Sequence, residues 1–163
     1  MTIATLAGRR HELRLTVKAF FAIPDIDDAL IRLAGASFTF DDVVTAWRAC
    51  HADGPLAGLA VFDGVRVRDM PVAAKWAAMA IYEGLRGDDA PADAASQASD
   101  DKPVTLGSVY QTGFAIGLKP REVDDLTPWQ FAQCVAGFNL AHAEQKDEAP
   151  RRDELAELVG RYG

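Results

Sequence analysis

The chain has 163 residues and a formal net charge of −7; hydrophobic residues make up 49% of it and charged residues 25%. These proportions are typical of a globular domain and exclude a collagen, a disulfide-rich scaffold and a wholly disordered chain. The excess of acidic residues argues against a dedicated nucleic-acid-binding protein, because such proteins usually present a basic surface.

The first residues predict a β-hairpin. Two runs, Thr2–Leu6 and His11–Val17, flank a short turn. In the second run Leu13, Leu15 and Val17 alternate with polar residues, which is the pattern of a half-buried strand. An isolated hairpin is only marginally stable, so we expect helices to cover its apolar face.

Two helices are predicted after the hairpin from their start and end signals. The first lies between Pro24 and Gly35, where the glycine is placed to cap the carboxyl end. The second begins at Thr39, because Thr39 and Asp42 have the spacing of a capping box. In such a box each side chain satisfies a backbone N–H group at the helix start.

Residues 59–68 allow two interpretations. The dipeptide Asp63-Gly64 between short apolar runs is typical of a two-residue hairpin turn. Arg66 and Arg68 leave the second run little apolar surface, which favours a plain loop. The sequence leaves both alternatives open.

A longer helix is predicted from Pro71 to about Arg86. It is apolar over most of its circumference, so we expect it to be central to the N-terminal module, with Trp76 in the core. One side of it carries only small residues, namely Ala73, Ala77, Ala80 and Gly84.

Residues 88–103 contain five aspartates and one lysine, and no aliphatic residue larger than alanine. Such a segment cannot bury enough apolar surface to offset its loss of conformational entropy, so it predicts a disordered acidic linker. The expected fold is therefore mainly α with a small N-terminal β-hairpin (α+β), in two small modules. These are residues 1–87 and 104–149, followed by a tail, 150–163, that allows a short helix.

The C-terminal module is predicted to contain a helix over Val104–Ile116, a break, a short helical turn over Arg121–Asp125 and a longer helix. Thr127 is placed to cap this longer helix, with Pro128 at its first position, and the helix runs to about residue 148.

That longer helix has two apolar sides. One carries Phe131 and Phe138, and the nearly opposite one carries Trp129, Ala136 and Leu140. A small module covers only one of them well, which makes the other a candidate partner surface. Alternatively, both sides are internal, one against the preceding helix and one against the N-terminal module.

No catalytic constellation is recognisable in the sequence. The three histidines and two cysteines lack the spacing of metal ligands, and no nucleophile elbow or phosphate-binding loop occurs. Cys50 and Cys134 fall in apolar helical stretches, where thiols are usually inert. The prediction is a protein that is not an enzyme, needs no cofactor or metal, and has no small-molecule substrate.

Two parts of the chain together resemble a known family. The opening GRRHELRLTVKAFFAIPDIDDALIRL, with the helix start at Phe38–Val43, resembles small tail proteins of gene transfer agents and prophages. The segment LGSVYQTGFAIGLKPREVDDLTPWQF looks like the C-terminal part of phage tail assembly chaperones, through 117–122 (GLKPRE) and 126–131 (LTPWQF).

The resemblance implies a tail assembly chaperone. Such a protein binds the hydrophobic tape measure protein, keeps it soluble, helps to recruit tail tube subunits and leaves before the tail is complete. On this reading Phe114, Trp129 and Leu140 contribute partner contacts, and a homo-oligomer is possible. Nucleic acid and membrane are not expected as partners.

Two alternatives remain at this point. The chain could be a structural tail component, such as a tube or terminator subunit, that stays in the particle. It could also be a helix-turn-helix regulator built on residues 104–143, although that module is acidic. The first ten residues lack the apolar core of a secretion signal and no apolar run approaches a membrane span. We therefore expect a cytoplasmic protein of the bacterial host that is absent from the mature particle.

Overall fold

A computed structural model describes residues 1–35, 37–86 and 104–147. These residues form an antiparallel two-stranded hairpin and a set of helices, which confirms the predicted fold class. The predicted linker, 88–103, and the predicted tail, 150–163, lie outside the described residues. The elements are β1 (Thr2–Leu6), β2 (Arg9–Leu13), α1 (Val17–Ala22), α2 (Ile26–Ala34), α3 (Phe40–Cys50), α4 (Pro55–Ala60), α5 (Met70–Arg86), α6 (Leu106–Ala115), α7 (Pro120–Asp125) and α8 (Pro128–Asp147).

The hairpin forms where the sequence predicts it. Thr2 pairs with Leu13 at its open end, and Ala7 and Gly8 occupy the turn with positive φ angles of 50° and 76°. Two consecutive left-handed residues match the right-handed twist of the flanking strands, which explains the tight connection.

The second strand is shorter than predicted. It ends at Leu13 and not at Val17, because the Thr16 hydroxyl accepts the Ala19 N–H at 3.2 Å and starts helix α1. Leu13, Leu15 and Val17 are nevertheless all buried. The alternation therefore predicts burial correctly, although only its first residue lies in the strand.

The predicted capping box is confirmed at the start of α3. Thr39 Oγ1 accepts the Asp42 N–H at 3.1 Å, and Asp42 Oδ2 accepts the Thr39 N–H at 2.8 Å. The other Asp42 oxygen accepts a hydrogen bond of 2.8 Å from Arg32 on α2. The hydrogen bonds from Arg32 and then Thr39 lower the pKa of Asp42 to about 2, so the ionised carboxylate links α2 to α3 at neutral pH.

Residues 59–68 do not form a hairpin. They continue from α4 into two 3₁₀ turns, Val61–Gly64 and Val67–Asp69. Pro55 stands at the first position of α4, and Gly58 packs so tightly on α3 that a Cβ there would lie 2.5 Å from the Trp47 carbonyl oxygen. This packing of α4 on α3 overrides the local turn signal at Asp63-Gly64.

Helix α5 is central, as predicted, and contacts β1, α2, α3 and α8. Its small-residue side is buried throughout: Ala73, Ala77, Ala80 and Gly84. Trp47 of α3 is fully buried against it and donates its indole N–H to the Ala73 carbonyl oxygen at 2.9 Å. The predicted core residue Trp76 is only partly buried and packs at the edge of this core.

Helices α6, α7 and α8 form a second apolar cluster. Val123 is fully buried in it, and Val17 of α1 lies in the same cluster. The Val17 N–H donates to the Leu126 carbonyl oxygen at 2.7 Å, and Arg14 donates to the Gln130 side chain at 2.9 Å. The two modules are therefore in direct contact through the segment that follows β2.

The helix boundaries of the C-terminal module lie close to the predicted ones. Helix α6 begins at Leu106, one residue after its cap Thr105, and the short helix α7 follows a break, as expected. Thr127 caps α8: its hydroxyl accepts the Gln130 N–H at 3.2 Å, with Pro128 at the first helical position. None of the helices described in 1–35, 37–86 and 104–147 is both long and apolar enough to cross a membrane.

Candidate partner-binding surfaces

The three residues predicted to contact a partner differ in exposure. Phe114 on α6 is 52% exposed and stacks on Tyr110, with 6.2 Å between the ring centroids. Leu140 on α8 is 67% exposed, whereas Trp129, in the first turn of α8, is partly buried. Trp129 and Leu140 are about 16 Å apart along the helix axis, so they do not form one compact cluster.

The two apolar sides of α8 are covered unequally. Phe131, Val135 and Phe138 are partly buried, and Phe131 packs into the second cluster. On the other side Ala136 and Leu140 are exposed. On the second side the described residues beyond the start of the helix, Ala136 and Leu140, are therefore open to solvent.

The residues that carry the family resemblance in the C-terminal module have structural roles. Leu118, Leu126 and Phe131 pack around the second cluster. Gly117 adopts a φ of 86°, a left-handed conformation that glycine reaches without strain. Gln130 caps α8 through Thr127 and also accepts the hydrogen bond from Arg14. The motif thus folds the module and attaches it to the N-terminal part.

An apolar groove that the sequence did not predict runs between α2 and α5. Its volume is about 840 Å³. Ile31 is 69% exposed at its edge, and Tyr82 is 46% exposed. The charged residue in its lining is Lys75. The principal apolar side chains of the lining are Leu30, Ile31, Phe38, Ala78, Met79 and Tyr82.

A signal for this groove was present in the sequence but incomplete. Ile31 lies outside the stripe formed by Ile26, Leu30 and Leu33, and Met79 lies away from the small-residue side of α5. Surplus apolar residues of this kind on two helices indicate uncovered surface. Only the placement of α2 beside α5 shows that they line one concavity.

A histidine pair lies where β2 meets the end of α3. Nδ1 of His51 accepts the Asp53 N–H at 3.2 Å, so the proton of the neutral ring is on Nε2. This Nε2–H points at Nδ1 of His11, at 3.4 Å. The His11 ring also contacts Trp47 edge-on, with 5.5 Å between centroids. Burial, and secondarily repulsion from His51, lower the pKa of His11 below its ordinary value of 6.5.

This pair predicts a loss of stability in mild acid. The unfolded chain binds a proton at His11 more readily than the folded chain does, because the folded-state pKa is the lower one. His11 therefore leaves the free energy of unfolding at its full value above about pH 6.5. That free energy falls as the pH drops through the lowered pKa of His11. Urea unfolding midpoints at about pH 7.5 and about pH 5 measure the change.

His11→Gln should reduce the difference between the two midpoints. The control His142→Gln, at an exposed position on α8, should leave that difference unaltered. An equal pH dependence in both variants would refute the assignment to His11.

The two thiols are in different surroundings. Cys50 is buried, and burial raises the pKa of its thiol to about 12, so at neutral pH it is a packing residue. Cys134 is exposed on α8, contrary to the prediction of inert packing for both. Among the side chains of 1–35, 37–86 and 104–143, no three or more His, Cys, Asp or Glu residues converge on a potential metal site.

Comparison of the chain with protein-family models, with curated proteins and with solved structures gives no match.

Proposed function

We propose that the chain is a tail assembly chaperone of a phage or gene transfer agent, which binds the tape measure protein and helps to recruit tail tube subunits without catalysing a reaction. The observation that carries this proposal is the apolar groove between α2 and α5. The resemblance of the two modules to small tail proteins and tail assembly chaperones supplies the identity of the partner.

The groove suits a hydrophobic client. Ile31 and Tyr82 are exposed on its two flanks, and Met79 lies between them in the lining. An amphipathic or apolar helix binds such a groove by inserting side chains at spacings of three and four residues. A chaperone of this kind covers apolar segments of the tape measure protein that would otherwise aggregate.

The C-terminal module offers further exposed apolar side chains. Phe114 on α6 and Leu140 on α8 are exposed apolar side chains that no described element covers. We assign them, with Trp129, to the contact with a second partner, the tail tube subunit.

Co-expression with the tape measure protein tests the proposal. We expect a soluble complex with the unaltered chain. Ile31→Asp should weaken it strongly, because burying an unpaired charge against an apolar client costs about 2 kcal/mol or more, or about 30-fold in affinity. Leu56→Asp is the matched control, since Leu56 is exposed on α4 outside the groove. Co-purification of the tape measure protein with each variant gives the readout.

Two results would contradict the proposal. One is a tape measure protein that stays equally insoluble with and without this chain. The other is stoichiometric amounts of the chain in purified particles, measured by mass spectrometry, which would indicate a structural tail subunit instead.

A further inference from the structure

Positive charge borders the groove between α2 and α5. Lys75, the charged residue of its lining, is exposed and forms no ion pair with the described residues of 1–35, 37–86 and 104–143. Arg86 donates a hydrogen bond to the Tyr82 hydroxyl, and its guanidinium carbon lies 5.3 Å from the centroid of the Tyr82 ring. Because Tyr82 lines the groove, Arg86 adds a second positive charge beside it.

Lys75 and Arg86 lie on the same side of α5. They are eleven residues apart, which is three helical turns to within about 20°, and about 17 Å along the axis. The one acidic residue of α5, Glu83, is engaged elsewhere: its carboxylate accepts the Thr2 hydroxyl at 2.7 Å and lies 3.4 Å from the Met1 amino group. The groove side of α5 is therefore positive, although the chain has a net charge of −7.

The α2 wall of the groove is apolar. It contributes Leu30, Ile31 and Ala34 to the lining. Asp27 shares the side of α2 with Ile31, but it lies one turn earlier and outside the lining. Arg32 is bound to Asp42 at 2.8 Å. The groove thus combines an apolar floor with two cations along one edge.

We propose that the groove selects a helix whose apolar face is bordered by acidic side chains. The inference rests on the proposed function in one respect, namely that the client helix belongs to the tape measure protein. An apolar centre with a rim of complementary charge is the usual arrangement of a specific interface. The rim charge rejects helices whose borders are basic, because like charges would then face each other across the contact.

The dimensions of the groove suit a helix of about three turns. The part of α5 that lines it runs from Pro71 to Tyr82, about 17 Å. A client helix that lies along α5 therefore reaches Lys75 and Arg86 together when its own acidic residues are about eleven positions apart. Ile31 is 69% exposed on the opposite wall, so the groove is open along one side. This favours a helix over a small molecule, which binds in a cavity that encloses most of its surface.

Two synthetic peptides test the proposal with the full chain. Both are helices with leucine at i, i+3, i+4 and i+7, and they differ only in having either glutamate or lysine at two border positions eleven residues apart. Fluorescence anisotropy at low ionic strength measures their affinities. We expect the glutamate peptide to bind about tenfold more tightly, because two ion pairs replace two repulsive contacts. The difference should shrink at about 0.5 M salt, since such exposed charges are screened.

Matched charge reversals locate the selectivity. Lys75→Glu should remove or reverse the preference for the glutamate peptide. Lys18→Glu, the same change at an exposed position of α1 outside the groove, should leave the preference intact. Lys75 is the better of the two cations to change, because Asp88 and Asp89 follow Arg86 closely in the sequence.

Other outcomes overturn the inference. If both peptides bind equally and Ile31→Asp abolishes both, the groove accepts apolar helices without selecting charge, and the proposed function still stands. A preference that survives Lys75→Glu, or that Lys18→Glu removes, places the selectivity outside the groove. No binding of either peptide, or dimers in size-exclusion chromatography that Ile31→Asp dissolves, would show that the groove is not a site for such a helix. The proposed function fails separately, in the co-expression with the tape measure protein.

Discussion

Replacing Trp47 by alanine should lower the free energy of unfolding by about 3–5 kcal/mol, the range for deleting a large aromatic side chain from a packed core. The ring is fully buried and contacts Phe62 edge-on, with 5.8 Å between centroids. Its indole N–H donates to Ala73 on α5, so the substitution removes both packing and a buried hydrogen bond between α3 and α5. Small domains have only about 5–15 kcal/mol of total stability, so much of it would be lost.

Urea unfolding followed by circular dichroism measures this loss. Trp76→Ala is the control, because Trp76 is only partly buried at the edge of the same core and should cost about 1–2 kcal/mol. Trp47→Phe should fall between them, since it keeps an aromatic ring and loses the indole donor. Similar losses for the two alanine variants would show that Trp47 is not the centre of the core.

Gly84→Ala and Gly137→Ala should change stability in opposite directions, although both replace a glycine inside a helix. A Cβ at Gly84 would lie 2.4 Å from the Leu15 Cβ and 3.0 Å from the Leu15 carbonyl oxygen. Helix α5 must then move away from the segment that follows β2, and such overpacking costs about 1–3 kcal/mol. A Cβ added at Gly137 on α8 would meet no neighbouring atom within 4 Å, so alanine should stabilise the helix by about 0.5–1 kcal/mol.

The same unfolding measurement compares the two variants. Because the intrinsic helix preference favours alanine at both positions, the difference between them isolates the packing of α5 against Leu15. A stabilising effect at both would mean that α5 and the Leu15 segment do not approach as closely as described.

The elements that the sequence predicts well are those with complete local signals. Thr39 and Asp42 carry both halves of a capping box, and Thr127 with Pro128 defines the start of α8; the structure contains both. Burial at Leu13 and Leu15 follows from their alternation. These features depend on residues a few positions apart, so the sequence contains the physical information that they require.

The elements that the sequence misses depend on distant contacts. Asp63-Gly64 is a good hairpin turn by itself, but Gly58 lets α4 pack on α3, and the chain then continues as 3₁₀ turns. The groove likewise exists only because α2 lies beside α5. Phe114 and Leu140 can be chosen from sequence as surplus apolar residues. The place of Ile31 in a groove cannot, because the other wall is a helix more than 35 residues further along the chain.

The direct contact between the two modules has a consequence for how the chain could be made. Residues 86 and 104 are joined covalently through 17 residues, so the two modules meet within one polypeptide and their contact does not depend on protein concentration. Two separately translated polypeptides would first have to meet by diffusion before Val17 and Arg14 could donate to Leu126 and Gln130, so the same contact would then depend on their concentrations.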